Sequence, residues 1–142
     1  SWRPQTDYRK SVSANSSLGG GVLLELSHEF DYLNWIFGEI ISVSSIIKKH
    51  SVLKVDVEDT AYINLEFKSN YENNPPLASL LMDFIRHDPT RTCTVIGEKG
   101  TLRWNEILGT VELWKEGDFR AHQREKYLKK DDETWESCFL SP

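Results

Sequence analysis

A helical pattern bounded by glycines constrains the fold of this chain most strongly. It runs from Gly19 to Gly38 as GGGVLLELSHEFDYLNWIFG and contains no proline. A glycine just past the last apolar position commonly ends a helix, because it adopts a left-handed conformation without a Cβ clash. The pattern therefore predicts one uninterrupted helix over residues 21–37.

This helix has two different faces. At about 100° per residue, its apolar side chains gather on one side, which must pack against a core; they are Val22, Leu26, Phe30, Leu33 and Phe37. The opposite side carries Glu25, His28, Tyr32 and Trp35, with Asp31 at the margin. A carboxylate and an imidazole one turn apart, beside two aromatic rings, are not typical of a solvated surface. We expect a ligand, another domain or another subunit to lie against this side.

Two other interpretations exist for Glu25 and His28. Glu25 and His28 could be an i,i+3 pair that stabilises the helix by about 0.2–0.5 kcal/mol. Glu-x-x-His also forms half of the metal site in di-iron helical bundles. That site needs a second such pair, and His50, His87 and His122 have no glutamate three residues before them. We therefore expect no metal site.

Composition bounds the class of protein. The 142 residues suffice for a single domain, 1–142, with a real core, and the net charge of −5 disfavours a nucleic-acid or anionic-membrane surface. No apolar run approaches the roughly 18 residues of a membrane span, and there is no secretory signal. Cys93 and Cys138 have no metal-binding spacing, which favours a reduced, cytoplasmic setting. The chain begins with Ser in a polar segment, so we expect part of a longer protein.

Strands follow the helix. Residues 39–48 are rich in β-branched side chains, and residues 60–67 alternate between apolar and polar. A turn-rich segment at 69–76 separates them from a further strand at 77–86, which predicts a hairpin. Shorter strands are predicted at 91–96, 101–104 and 110–115, with a charged edge strand within 120–130 and a last helix at 133–140.

Consecutive strands with one long helix predict a two-layer α+β fold. A large, mostly antiparallel open sheet would be covered by the helix on one face. Tyr62, Leu81 and Ile85 fall on the other face, which is then too apolar to be plainly solvated. We expect a homo-oligomer in which two copies pack sheet to sheet.

Three segments in this order and spacing resemble a known family. GGGVLLELSHEFDYLNWIFG, VEDTAYINLEF and IRHDPTRTCTVIGEKGTLRW are similar to parts of the C-terminal domain of the Gfo/Idh/MocA oxidoreductases, relatives of glucose-fructose oxidoreductase and inositol dehydrogenase. The resemblance covers residues of about 7–115. It implies a domain with a large open sheet that supplies substrate contacts, a catalytic histidine and an oligomer interface. A separate N-terminal domain would bind the dinucleotide.

The resemblance also implies roles for individual residues. His28 matches the catalytic histidine, and Glu25 falls close to the family's aspartate, three residues before the histidine here rather than four. Substrate contacts are implied for Glu25 and Tyr32 on the helix. Arg9, ahead of the glycines, and Arg86 and His87, after a strand that borders the site, would contact substrate as well.

The cofactor site is missing from this sequence. No strand is followed by Gly-x-Gly-x-x-Gly, and the family's Glu-Lys-Pro segment is absent. The resemblance therefore implies the substrate-side half of an NAD- or NADP-dependent oxidoreductase, inactive alone, whose substrate is the hydroxyl or carbonyl of a sugar, cyclitol or nucleotide-sugar. An imidazole could accept the alcohol proton as the hydride leaves. The alternative is a non-enzymatic binding or assembly module that uses its open sheet face.

Overall fold

The computed structural model describes residues 7–68, 74–115 and, for the backbone, 125–128. The chain divides into two compact units, Ser1–His87 and Asp88–Pro142. Each unit has its own antiparallel sheet. The single domain expected over residues 1–142 stays a prediction.

The first unit begins with three 3₁₀ turns, Tyr8–Lys10, Val12–Ala14 and Ser16–Leu18, followed by helices α1 (Val22–Glu25) and α2 (His28–Phe37). The prediction of one uninterrupted helix is wrong, because the helix breaks at Leu26 and Ser27. Around the break the N–H groups of Glu29 and Phe30 bond to the carbonyl groups three residues earlier. These tighter bonds interrupt the regular i→i−4 ladder and separate the two helices.

The predicted apolar side of the helical segment does face the core. Val22 and Leu33 are buried, and Leu26, Phe30 and Phe37 pack against the same cluster while partly exposed. The ring centroid of Phe37 lies 5.4 Å from that of Phe67 in the sheet. The apolar periodicity thus survives the break, and the helical layer covers one face of the sheet.

The first sheet contains β1 (Ile40–Lys48), β2 (Thr60–Phe67) and β3 (Leu77–Asp83) in that order. Both pairings are antiparallel, and the predicted β2–β3 hairpin is confirmed by a register in which Tyr62 lies opposite Leu81. The alternating residues predicted to face inward are all buried; they are Ala61, Ile63, Leu65 and Phe67. The sheet face that carries these four residues therefore packs against the core.

Strand β3 is shorter than the predicted 77–86. The Asp83 carboxylate accepts hydrogen bonds from the N–H groups of Ile85 and Arg86, at 3.1 and 2.7 Å. These bonds curl the chain out of the strand conformation, as an aspartate at the first position of a turn commonly does. Arg86 and His87 consequently lie beyond the sheet.

The second unit holds β4 (Thr92–Gly97), β5 (Gly100–Asn105), β6 (Thr110–Lys115) and β7 (Glu125–Leu128), paired antiparallel in sequence order. The predicted turn between Gly97 and Gly100 is confirmed, and β7 falls within the predicted edge strand. The α+β, mostly antiparallel fold class is confirmed, with its strands divided between two sheets. The predicted helix at 133–140 and most of the turn at 69–76 lie outside the described residues.

Within the described part of the chain, no helix combines the length and the apolar character needed to cross a membrane.

Candidate functional site

The start of α1 is capped by a residue from the strand side of the fold. Gly21 precedes the helix and has no side chain that could accept a hydrogen bond. Glu58 supplies the acceptors instead: its carbonyl oxygen accepts from the N–H of Val22 and its Oε1 from the N–H of Leu23, both at 3.1 Å. Two of the N–H groups that a helix start leaves unbonded are thereby satisfied.

The glycine triplet is shaped by close packing. A Cβ atom on Gly20 would lie 2.3 Å from the carbonyl oxygen of Val12, and one on Gly21 would lie 2.3 Å from Oε1 of Glu58. Gly21 also has a φ of +118°, where residues with a Cβ atom are strained. Gly20 therefore admits neighbouring backbone, and Gly21 admits the Glu58 carboxylate. They follow 3₁₀ turns rather than a strand, so their geometry does not fit a dinucleotide phosphate cradle.

Asp59 is the most completely buried acidic residue described, with no exposed surface. Its carboxylate accepts from the N–H groups of His50 and Ser51 and from the hydroxyls of Ser51 and Thr60, over 2.5–3.1 Å. Burial by itself raises the pKa of Asp59, but these hydrogen bonds outweigh it and hold the pKa below the ordinary 3.8. Asp59 thus anchors the connection between β1 and β2.

His28 is the first residue of α2 and has an exposed side chain. Its Nε2 lies 3.0 Å from Oε1 of Glu29, whose own side chain is largely covered. A negative charge beside Nε2 favours a proton on that nitrogen and leaves Nδ1 as the nitrogen able to accept one. The imidazole is therefore both oriented and reachable by a small molecule.

Glu25 is placed differently from the sequence expectation. It ends α1, and the break at Leu26 and Ser27 separates it from His28 at the start of α2. Its Oε2 accepts a hydrogen bond of 2.5 Å from the hydroxyl of the buried Ser13. This bond ties Glu25 to the segment of 3₁₀ turns, and Glu29 is the carboxylate that the structure places on His28.

The two aromatic residues of the predicted polar face differ in their exposure. Trp35 is 66% exposed, as expected for a side directed away from the core. Tyr32 instead packs against the core cluster, so its placement on the opposite face is corrected. Leu53 and Val55 of the β1–β2 connection pack against the same cluster.

The predicted arginines are held by neighbouring acids. Arg9 forms a two-point contact with Asp7, from Nε at 2.7 Å and from Nη2 at 2.9 Å. The hydrogen bond from Arg9 lowers the pKa of Asp7, and the same contact raises the pKa of Arg9. Nε of Arg86 lies 3.5 Å from Asp83, and His87 is exposed at the end of the first unit.

Two groups therefore emerge from the predicted site residues. Glu25 and His28 flank one helix break, whereas Arg9 and Arg86 contact acids of other segments and His87 is exposed after β3. Among the residues with described side chains, no cluster of three or more His, Cys, Asp or Glu is arranged to hold a metal ion. The chemistry this arrangement can perform is proton transfer at an accessible, carboxylate-oriented imidazole.

Sequence reasoning missed the structural acids and the partner of His28. Glu58 and Asp59 stand directly before a half-buried strand, and Glu29 directly follows His28. The sequence did contain a signal for Glu58. A helix that starts after glycine has no side-chain cap of its own, so its first N–H groups need an acceptor from another segment. The acidic pair of the VEDT segment is the nearest such acceptor on an element that packs against the helix.

Comparisons with known proteins agree with the fold. A solved oxidoreductase from Sinorhizobium meliloti superposes with a TM-score of 0.65 at 14% identity, over 86% of this chain and 34% of its own. A Thermotoga maritima protein described as an oxidoreductase superposes with a TM-score of 0.55 at 21% identity, over 70% of this chain and 29% of its own. At these identities the likeness concerns the fold, and the chain spans about a third of the length of either neighbour.

A short local match links the chain to a pyridoxine/pyridoxamine 5′-phosphate oxidase of Pelagibacter ubique (strain HTCC1062). It is 41% identical over 39 residues, which is 28% of this chain and 19% of that protein. Such a length carries no conclusion about the activity of this chain. A family model described as "Oxidoreductase family, C-terminal alpha/beta domain" matches residues 1–139. The chain belongs to the Gfo/Idh/MocA oxidoreductase family and corresponds to its C-terminal domain.

Proposed function

We propose that this chain is the substrate-side part of an NAD(P)-dependent oxidoreductase that acts on the hydroxyl or carbonyl of a sugar, cyclitol or nucleotide-sugar. The observation that carries the proposal is His28, exposed at the start of α2 with Glu29 3.0 Å from its Nε2. His28 is also the residue that matches the family's catalytic histidine. In this proposal Nδ1 accepts the proton of the substrate hydroxyl during oxidation.

The carboxylate beside His28 supports this role. Glu29 lies 3.0 Å from Nε2 and restrains the orientation of the imidazole. Glu29 is mostly covered, so its position is restrained. The described part of the chain thus offers a proton acceptor and an orienting group on the first two residues of one helix.

The cofactor belongs to another part of the protein in this proposal. A nicotinamide would accept the hydride when bound. Gly20 packs against backbone and Gly21 against Glu58, so these two glycines do not fit a dinucleotide. The chain covers about a third of its solved neighbours, whose remaining length has room for a dinucleotide domain. We propose that the domain alone is inactive and that the enzyme works in the cytoplasm.

The test uses the longest natural protein that contains this chain. NAD(P)H formation is followed with a panel of polyols, cyclitols and nucleotide-sugars, and the best substrate is then used with His28→Asn. The substitution keeps the size of the side chain but removes the base, so kcat should fall by roughly 10²–10⁴. Cofactor affinity should be unchanged, because this segment does not hold the dinucleotide.

Glu29→Gln and His87→Asn sharpen the result. Glu29→Gln removes the charge beside Nε2 and should lower kcat less than His28→Asn does. His87 is an exposed histidine outside the helical segment. Its substitution should weaken substrate binding, raising KM while leaving kcat within a few-fold. If no member of the panel is oxidised with either cofactor, a non-enzymatic binding module becomes the better account.

A further inference from the structure

Helix α2 carries exposed side chains that the proposed proton transfer does not use. Trp35 is 66% exposed, and Asp31 is exposed as well. A solvated helix face is usually covered by charged and polar side chains. An exposed tryptophan is instead typical of a contact surface, because its large and rigid ring buries much apolar area when a ligand packs against it. The side of α2 that carries Trp35 therefore has the composition of a binding surface.

His28, Asp31 and Trp35 form one row along the helix. At about 100° per residue, positions 28 and 35 differ by only about 20° around the helix axis. Asp31 lies between them, about one turn from each, and residues three or four apart are neighbours on a helix surface. Leu33, the buried residue of α2, lies on the other side. The row therefore starts at the candidate imidazole and follows the side of α2 that is turned away from the core.

The length of this row indicates the size of a ligand that fills it. Seven residues of an α-helix rise by about 10 Å. Helical side chains lean toward the N-terminus, and because the imidazole of His28 and the indole of Trp35 lean the same way, their spacing is preserved. A single sugar ring at His28 is too short to lie on that indole as well. A ligand of two linked rings reaches both ends of the row.

Charge distinguishes between the ligands that have this length. Asp31 lies in the middle of the row, and the Glu29 carboxylate lies 3.0 Å from Nε2 of His28 at its start. Within the described ranges, no ion pair involves Asp31. Its negative charge repels the diphosphate of a nucleotide-sugar, whereas the hydroxyls of a sugar donate hydrogen bonds to a carboxylate. The row therefore matches a neutral carbohydrate better than a nucleotide-sugar.

We propose that α2 binds a neutral carbohydrate of two linked rings lengthwise, with the reacting ring at His28 and the second ring stacked on Trp35. The apolar C–H groups of a sugar ring pack on the aromatic face, whose negative charge density attracts their positive edge. Hydroxyls between the two rings donate to Asp31. This inference rests on the proposed function and narrows its substrates to neutral sugars that carry a second ring. Trp35 and Asp31 are then specificity-determining residues, and proton transfer stays with His28.

Matched substrates test the length and the charge of the ligand. Glucose, cellobiose and UDP-glucose present one ring alone, with a second neutral ring, and with a diphosphate and a base. Galactose, lactose and UDP-galactose form a second set. In the longest natural protein that contains this chain, the set that is oxidised should show a kcat/KM at least about tenfold higher for the disaccharide than for its other two members.

Substitution of Trp35 tests the stacking contact. Trp35→Ala should raise KM for the disaccharide about tenfold, because the second ring loses its platform. KM for the monosaccharide and kcat for both should stay within about twofold, so the advantage of the disaccharide disappears. Trp35→Phe keeps an aromatic face and should keep most of that advantage. Ile36→Ala is the matched control, since Ile36 is 52% exposed but points about 100° away around the helix.

Substitution of Asp31 tests the selection by charge. Asp31→Asn keeps the size and an acceptor oxygen but removes the negative charge. It should raise kcat/KM for the nucleotide-sugar about three- to fivefold and change that for the disaccharide less, because only the diphosphate is repelled. If the ratio of the two values is the same as in the unaltered protein, the charge of Asp31 does not select the substrate.

Other outcomes would overturn the stacking contact and can be told apart from failure of the proposed function. If His28→Asn abolishes turnover while Trp35→Ala leaves KM for the disaccharide unchanged, the proposed function stands and this inference is wrong. An effect of Trp35→Ala on cofactor affinity alone would mean that the indole contacts another part of the protein. If no sugar is oxidised, saturation-transfer NMR with cellobiose and lactose tests the inference alone, and signals that are absent or equal in the unaltered protein and Trp35→Ala refute it.

Discussion

Two pairs of neighbouring residues in the first unit, Glu58–Asp59 and His28–Glu29, contrast in how their polar groups are used. The first pair directs its carboxylates inward, to the N–H groups of α1 and of the β1–β2 connection. The second pair begins α2 with an exposed imidazole whose described protein contact is Glu29. The carboxylates of the first pair hold neighbouring backbone in place, whereas the imidazole of the second pair stays exposed.

The largest expected effect on stability comes from Asp59→Ala. This change leaves the N–H groups of His50 and Ser51 and the hydroxyl of Ser51 without their buried acceptor. We expect the free energy of unfolding to fall by roughly 3–5 kcal/mol, since each lost bond to a charged group contributes about 1.5–3 kcal/mol in part offset by hydration. Urea denaturation measures it. A loss below about 1 kcal/mol would show that the carboxylate is not a structural anchor.

Gly20→Ala comes next in size. Its Cβ atom would meet the carbonyl oxygen of Val12 at 2.3 Å, so backbone must move, at a cost of roughly 2–3 kcal/mol. Gly19→Ala is the matched control: its added Cβ meets open space, and the φ of +79° alone should cost about 1–2 kcal/mol. If Gly19→Ala is the more destabilising of the two in thermal unfolding, the close-packing role of the triplet is wrong.

Glu58→Ala tests the capping of α1 with a smaller effect. The side chain accepts one N–H bond, from Leu23, while the carbonyl oxygen continues to bond Val22. We expect a loss of about 1 kcal/mol, the usual contribution of a side-chain cap. Glu66→Ala, on the open face of β2, is the control and should change the unfolding free energy by less than about 0.5 kcal/mol. Equal effects of the two substitutions would argue against capping.

The pH dependence of the unfolding free energy measures the contribution of the ionised Asp59 carboxylate in the unaltered protein. Its pKa is lowered in the folded state, so the unfolded chain binds more protons between that pKa and 3.8. The stabilisation is therefore fully present above the ordinary pKa and is lost as pH falls through the lowered one. Asp59→Asn should flatten this acid limb, as measured by unfolding at a series of pH values. Hydrogen bonds from Ser16 also lower the pKa of Asp56. A smaller loss of stability at acid pH should therefore remain in the Asp59→Asn protein.

The sequence predicted the elements whose signal is periodic. Alternation placed the inward side of β2 correctly, and the helical period identified Val22 and Leu33 as core residues. Such signals survive because burial of apolar side chains dominates the choice of face. The turn between Gly97 and Gly100 was equally predictable from its glycines.

Features that depend on contacts distant in sequence were not predictable in the same way. The helix break at Leu26 and Ser27 carries no glycine or proline, and the apolar period runs through it unchanged. Tyr32 packs against the core cluster although the helical period places it on the opposite face. The candidate histidine was identified by its position and its family resemblance, but its carboxylate partner required the structure.

The central claim is that His28 serves chemistry while Glu58 and Asp59 serve the fold. The most direct test measures kcat and the unfolding free energy together, for His28→Asn and Asp59→Asn in the longest natural protein that contains this chain. We predict that His28→Asn lowers kcat by roughly 10²–10⁴ and leaves stability within about 0.5 kcal/mol. Asp59→Asn should lower stability and leave kcat of the folded fraction within a few-fold. A His28→Asn protein that keeps its kcat, or loses it only through unfolding, would contradict the account.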